Sequence, residues 1–128
     1  MSYYINKIVS VDFDTAIQKV TEQLKEEGFG VLTEINVSET LKKKIDVDFR
    51  KYKILGACNP PNAYQALSNE PYIGLLLPCN IVVQETLDGK IDVSAINPQV
   101  SMQAVNNPEL GEVAGEIKDR LERVINSL

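Results

Sequence analysis

Histidine is absent from this 128-residue sequence, and its absence excludes several kinds of catalytic site. Without an imidazole there is no Ser–His or Cys–His nucleophile pair, no HExxH zinc site and no histidine that transfers protons near neutral pH. Acid–base or nucleophilic chemistry would fall to carboxylates, lysines, tyrosines and thiols. Many enzyme classes are thereby disfavoured, and we expect a protein without catalytic activity. No motif identifies a cofactor.

The sequence also lacks an excess of positive charge. Its net charge is −5, whereas a general nucleic-acid binder presents a basic face to the phosphates. The basic run at residues 42–44 is short and typical of a solvated helix face. We therefore expect no nucleic-acid partner.

Long apolar runs are missing as well. No segment reaches the roughly 18 consecutive apolar residues that span a bilayer. Residues 1–5 do not show the basic and then apolar pattern of a signal peptide. We expect a cytoplasmic protein with no membrane partner, in which the two cysteines are reduced thiols.

Hydrophobic periodicity and turn residues predict a single domain over residues 1–128. Strands are predicted at 3–9, 30–37, 51–58, 74–77, 81–85 and 90–96, and helices at 13–27, 39–45, 60–68, 98–105 and 109–127. An early crossover could join parallel strands, while the Asp88–Gly89 turn joins antiparallel ones. The predicted class is therefore α+β, with a mixed, mainly antiparallel sheet and helices packed mostly on one face.

Several residues predict where these helices begin and end. Asp12, Ser38 and Asn59 each precede a helical pattern and have side chains that accept hydrogen bonds from N-terminal backbone amides. Gly28 is predicted to follow the end of the first helix, where a glycine adopts the left-handed conformation without strain.

The least generic feature is a pair of similar segments, each containing one cysteine. The tripeptides CNP at 58–60 and PCN at 78–80 both interrupt an apolar run. We predict a pocket or groove near Cys58, Asn59, Pro78, Cys79 and Asn80 that binds a small molecule. The sequence does not indicate which one.

The two thiols allow three interpretations. They can be structural residues of the core, since unpaired cysteine is among the most buried residue types. Alternatively, Cys58 precedes a helix N-terminus, which would lower its pKa below the usual value of about 8.5 and make it an attacking thiol that Cys79 resolves. A third possibility is a Cu(I) site in which Met102 joins the two cysteines, because thiolates and thioethers suit that ion.

Five segments resemble the domain of unknown function 302 family. They are GFGVLTEI at 28–35, YKILGACNP at 52–60, GLLLPCNIVV at 74–83, DGK at 88–90 and NP at 97–98. Asn97 departs from the family's pattern, where Asp precedes the proline, but asparagine caps a helix about as well. The resemblance implies a compact α+β fold of the TBP-like type and a homodimer. It implies no reaction.

Taken together, these observations predict a homodimeric, non-catalytic binding domain with its site near the two cysteines. Two alternatives stay open: a thiol-based redox or soft-metal protein, and a structural module whose sheet or helix face assembles with a partner. They differ in their expected behaviour, since a binding domain is stabilised by its ligand, whereas a redox protein forms a reversible bridge.

Overall fold

A computed structural model describes all residues from 1 to 128. Five strands form a single sheet in the order β1-β5-β4-β3-β2, and every neighbouring pair is antiparallel. The strands are β1 Tyr4–Val9, β2 Gly30–Asn36, β3 Tyr52–Cys58, β4 Cys79–Glu85 and β5 Ile91–Ile96. The predicted α+β class is confirmed. The parallel crossover does not occur, because β1 and β2 lie at opposite edges of the sheet.

Five α-helices and two 3-10 segments complete the chain. The helices are α1 Phe13–Glu26, α2 Val37–Ile45, α3 Pro60–Asn69, α4 Pro98–Ser101 and α5 Leu110–Asn126, and the 3-10 segments are Pro71–Leu76 and Gln103–Val105. The long helices α1 and α5 pack on each other and on the sheet. None of the helices combines the length and the apolar composition that crossing a bilayer demands.

The core lies between the sheet and the two long helices. Alternate strand residues point into it, such as Leu55 and Ala57 of β3 and Ile81 and Val83 of β4. The helix α5 contributes seven buried residues to this core: Leu110, Val113, Ala114, Ile117, Leu121, Val124 and Ile125.

The helix caps follow the predictions at two of three positions. The carboxylate of Asp12 accepts a hydrogen bond from the Thr15 amide at 2.7 Å, and Asn59 caps α3. Ser38 was wrongly predicted as a cap: α2 begins one residue earlier, and its cap is Asn36. The Ser38 hydroxyl instead donates to the carbonyl of Arg50 and accepts a hydrogen bond from the amide of Tyr52, and so ties the helix to the start of β3.

The predicted strand at 74–77 is wrong. Pro71–Leu76 forms a 3-10 helix in which only Ile73 is buried, and Leu75 is 84 % exposed. A short apolar run does not by itself distinguish a strand from a helical turn. The strand β4 begins at Cys79, after the cis peptide bond between Leu77 and Pro78, so the interruption of the apolar run at 78–80 marks the boundary between two elements.

The sheet face turned away from α1 and α5 is not covered by any long helix. We call it the open face, and by strand alternation it consists of Tyr4, Asn6, Ile8, Thr33, Ile35, Tyr52, Ile54, Gly56, Asn80, Val82, Gln84, Asp92, Ser94 and Ile96. At Gly56 a Cβ atom would lie 2.7 Å from Cγ of Pro78 and would collide with the hydroxyl of Thr33. Only glycine therefore lets β2 and the start of β4 close on β3 at this point.

Helix α5 is unusual in containing two glycines, Gly111 and Gly115. In the interior of a helix, as at Gly115, glycine costs about 1 kcal/mol of stability relative to alanine, whereas Gly111 lies in the first turn. A Cβ atom at Gly115 would lie 3.3 Å from Nε2 of Gln99, and at Gly111 it would meet nothing within 4 Å. Because the Gln99 side chain is flexible and can move, packing within the chain does not require glycine at either position.

Candidate functional site

An apolar pocket of about 300 Å³ lies where β3 and β4 meet α3 at one end of the sheet. We call it the cysteine pocket. Nine of its twelve lining residues are hydrophobic, and the full set is Phe29, Leu32, Ala57, Cys58, Asn59, Ala63, Leu67, Gly74, Leu77, Pro78, Cys79 and Ile117. Its volume falls at the lower end of the range for small-molecule sites.

Strand pairing brings the two cysteine segments together. Ala57 and Cys79 face each other in the register of β3 and β4, so that Cys58 and Pro78 end up beside them at the same end of the sheet. Phe29 and Ile117 are almost fully buried and close the inner side of the pocket.

The mouth of the pocket exposes two leucines. Leu32 of β2 is 68 % exposed and Leu67 of α3 is 45 % exposed. The register of β2 shifts between Val31 and Thr33, which marks a β-bulge at Leu32. The extra residue takes Leu32 out of the regular alternation of the strand.

Four of the five predicted site residues line this pocket. They are Cys58, Asn59, Pro78 and Cys79. Asn80 does not line it: it lies on the open face opposite Gly56 and borders a different hollow. Successive strand residues point to opposite faces, so Asn80 cannot follow the buried Cys79 into the pocket.

Met102 lies apart from both cysteines. It is buried beneath a separate cavity between α4 and α5, so the structure does not bring together the three sulfurs considered for a Cu(I) site. No group of three His, Cys, Asp or Glu side chains has the arrangement of a metal site.

Asn59 is the polar side chain of the pocket, and both ends of its amide already have partners. Its Oδ1 accepts a hydrogen bond from the amide of Asn62 at 3.3 Å and caps α3. Its Nδ2 donates to the carbonyl of Glu27 at 3.2 Å, at the end of α1. Besides the two thiols, the lining side chains therefore leave only one N–H and one acceptor lone pair of this amide to hydrogen-bond a ligand.

The carbonyl of Glu27 also accepts a hydrogen bond from Nη1 of Arg120 at 3.2 Å. The Glu27 carboxylate accepts one from Nη2 of Arg123 at 2.9 Å. This hydrogen bond is the main reason why the pKa of Glu27 lies below its usual value. The end of α1, the start of α3 and the middle of α5 are therefore joined behind the pocket.

The N-terminus of α3 has no free backbone donor to offer the sulfur of Cys58. Pro60 and Pro61 have no N–H group, the amide of Asn62 is capped by Asn59, and the amide of Ala63 bonds to the carbonyl of Asn59 at 2.9 Å. No backbone donor of this first turn is left for a sulfur anion.

The two thiols differ in their environment. Both are unbridged, Cys58 half-buried and Cys79 buried at 5 % exposure. Burial, and then the nearby charge of Cys58, raises the pKa of Cys79 from 9.0 to about 11. Strand alternation directs the Cβ atoms of Cys58 and Cys79 to opposite faces. Since a disulfide needs Cβ atoms roughly 4 Å apart and facing each other, bridging requires the strand ends to rearrange.

Sequence reasoning missed Phe29, Leu32, Ala63 and Ile117. The apolar residues Val113, Ile117 and Leu121 recur at helical spacing and predict that Ile117 is buried, but nothing in that spacing relates it to the cysteines. The bulge that turns Leu32 toward the pocket depends on pairing with β3, so no local signal could have identified it.

The burial of Cys79 makes a pH-dependent prediction. Because the pKa of Cys79 is higher in the folded than in the unfolded protein, the protonated thiol contributes fully to stability below about pH 9. This contribution is lost as the pH rises to about 11. We expect denaturant unfolding to show that wild type loses about 2–3 kcal/mol more than Cys79→Ala across this range. In the native protein at pH 8, mass spectrometry should detect alkylation of Cys58 before Cys79. Equal pH slopes or rapid alkylation of native Cys79 would contradict the assignment.

Comparison with known proteins supports this fold but assigns no activity. Residues 5–128 match the family model described as a domain of unknown function, DUF302. The crystal structure of an uncharacterized conserved DUF302 protein from Bacillus stearothermophilus is similar to this chain, with a TM-score of 0.92 and 32 % sequence identity over 98 % of each chain. Comparison with curated proteins finds no significant match. The resemblance seen in the sequence is therefore confirmed, and the chain belongs to the DUF302 family.

Proposed function

We propose that this protein is a homodimeric binding domain whose cysteine pocket holds the hydrocarbon part of a small ligand. The observation that carries the proposal is that the pocket is apolar and that both ends of its one side-chain amide, Asn59, already bond to the chain.

The energetics favour hydrocarbon over a polar group in this pocket. Each methylene removed from water contributes about 0.8 kcal/mol. A buried polar group without a partner costs about 1–3 kcal/mol. As partners for such a group, the lining side chains offer only two thiols and the remaining N–H and lone pair of Asn59. A cavity of about 150 Å³ holds benzene, so 300 Å³ has room for a larger ring system or an alkyl chain. The polar end of the ligand would stay at the mouth, near Leu32 and Leu67.

A filled-pocket variant tests the proposal. Ala63 lines the pocket from α3, whereas Gln65 is exposed on the same helix and does not line it. Binding stabilises the folded state by about 2.7 kcal/mol when the free ligand is at 100 times its dissociation constant. We expect 1-octanol to raise the Tm of wild type and of Gln65→Leu, and to have little effect on Ala63→Leu. If 1-octanol stabilises all three equally, or none of them, the pocket is not its site.

The homodimer is supported by the amount of exposed surface. The chain exposes 7669 Å², about 900 Å² more than the surface scaling for a monomer of its mass, 14.2 kDa, predicts. A standard protein interface buries about 800 Å² on each partner. The excess therefore matches the share of surface that one subunit would bury.

The open face is the surface that we assign to this contact. It exposes Tyr4, Ile8 and Ile35 by close to half of their surface. The loop before β3 extends it, because the ring of Phe49 lies 6.0 Å from that of Tyr52. Helix α2, which connects β2 to β3, buries none of its residues. A second copy of the chain would cover these apolar groups.

A charge placed on the open face should separate the subunits. Ile35 is 49 % exposed, so Ile35→Glu is compatible with the folded monomer, and the fully exposed Leu87 in the β4–β5 turn provides the matched control. We expect sedimentation analysis to find dimers for wild type and for Leu87→Glu, and monomers for Ile35→Glu. Monomeric wild type, or a dimeric Ile35→Glu, would rule out this interface.

The thiol-redox alternative has one observation in its favour, namely that both cysteines line a single pocket. It requires a disulfide between Cys58 and Cys79, whose Cβ atoms point to opposite faces of the sheet. A reversible disulfide formed in the native protein, detected as the loss of both alkylation sites, would establish this alternative. If replacing both cysteines lowers only the stability of the protein and leaves ligand binding unchanged, the alternative of a structural module is favoured.

A further inference from the structure

Charge is nearly absent from the part of the chain that builds the cysteine pocket. Between Ile54 and Gln84 the only charged residue is Glu70, and its carboxylate accepts a hydrogen bond from Nδ2 of Asn107 at 3.2 Å. Helix α3 has no charged residue, whereas α2, one residue shorter, carries Glu39 and three lysines. The outer side of α3 therefore meets solvent without the charges that a solvated helix face normally has.

Large apolar and aromatic side chains occupy this uncharged surface instead. Tyr64 of α3 is 77 % exposed, and Tyr72 of the first 3-10 segment is 76 % exposed. With the leucines at the mouth of the pocket and those of the 3-10 segment, they form a set that we call the apolar rim: Leu32, Tyr64, Leu67, Tyr72, Leu75 and Leu76.

The apolar rim continues the surface of the pocket outward. Tyr64 and Leu67 are three residues apart on α3 and so share one side of that helix. Tyr72 and Leu75 have the same spacing in the 3-10 segment, where residues three apart are aligned. A Cβ atom at Gly74 would lie 4.0 Å from Cδ2 of Leu67, so the two elements are in contact. Both Leu67 and Gly74 line the pocket.

The chemistry of the apolar rim favours a lipid surface as its occupant. Leucine side chains transfer into hydrocarbon, whereas tyrosine, with an apolar ring and a polar hydroxyl, is enriched at the level of the lipid head groups. The rim contains no lysine or arginine that would attract anionic lipids. A neutral lipid surface therefore matches both its apolar and its uncharged character.

The position of the rim distinguishes lipid from protein. The hydrocarbon ligand proposed above has to pass the mouth, where a bilayer presents hydrocarbon and a docked protein would cover the opening. A second copy is disfavoured as well, because the open face already accounts for the surface excess of about 900 Å².

We propose that the apolar rim docks the protein on a bilayer of neutral lipids, from which the cysteine pocket takes its ligand. This inference rests on the proposed hydrocarbon site and adds the source of the ligand. Docking through exposed side chains requires no membrane-spanning helix.

Co-sedimentation of the full-length protein with phosphatidylcholine vesicles tests the docking surface. Leu75→Glu places a charge in the rim, and Leu87→Glu makes the same change at an exposed leucine of the β4–β5 turn, at the other end of the sheet. We expect wild type and Leu87→Glu to bind with equal partition coefficients. Leu75→Glu should bind at least about tenfold more weakly, because burying one leucine side chain accounts for a factor of that size.

Three outcomes of this experiment would overturn the proposal. Wild type stays in the supernatant at every lipid concentration, or Leu75→Glu binds as tightly as wild type. In the third, binding requires phosphatidylglycerol in the vesicles, which would make the attraction electrostatic.

Two further measurements separate this surface from the other sites. Without lipid, Leu75→Glu should sediment as the same oligomer as wild type; if it dissociates, the rim is a contact between copies and the proposal is refuted. Stabilisation by 1-octanol without vesicle binding rejects the docking surface and leaves the pocket. Vesicle binding that depends on Leu75, without any 1-octanol response, rejects the pocket ligand and leaves the docking surface.

Discussion

The two hydrogen bonds of the Asn59 amide hold the site together. One bond begins α3 and the other fixes the end of α1 against it. Asn59 is only 7 % exposed, so losing either partner would leave a polar group buried without a hydrogen bond, at a cost of about 1–3 kcal/mol. Gly28, just beyond α1, has a φ of +83° and would place a Cβ atom 3.1 Å from Nδ2 of Asn59. The chain therefore needs glycine at one position and asparagine at the other for α1 and α3 to meet.

This arrangement also determines the chemistry of the pocket. Because both ends of the amide already bond to the chain, the surface facing the pocket is mainly apolar and carries two thiols, one of them kept protonated by burial. The same side chain that builds the wall of the pocket thus has only part of its hydrogen-bonding capacity left for a ligand.

Local patterns predicted much of the fold. Asp12 and Asn59 were identified as caps because a cap depends on residues three positions apart, and the strands other than 74–77 follow from alternation and turn residues. The predictions failed where the outcome depends on distant parts of the chain. Ser38 contacts β3 rather than capping α2, and residues 74–77 form a 3-10 turn at the mouth of a pocket. For the site, the cysteine segments were found from their sequence, whereas Asn80 and Met102 lie elsewhere for reasons of strand parity and helix packing.

The central claim is that hydrocarbon burial drives binding in the cysteine pocket. The most direct test is calorimetric titration with 1-hexanol, 1-octanol and 1-decanol. If the claim is correct, affinity rises about fourfold for each added methylene, which corresponds to about 0.8 kcal/mol, until the chain fills the pocket. If affinity does not depend on chain length, or if a diol of equal length binds as tightly as the alcohol, polar contacts govern binding and the account is wrong.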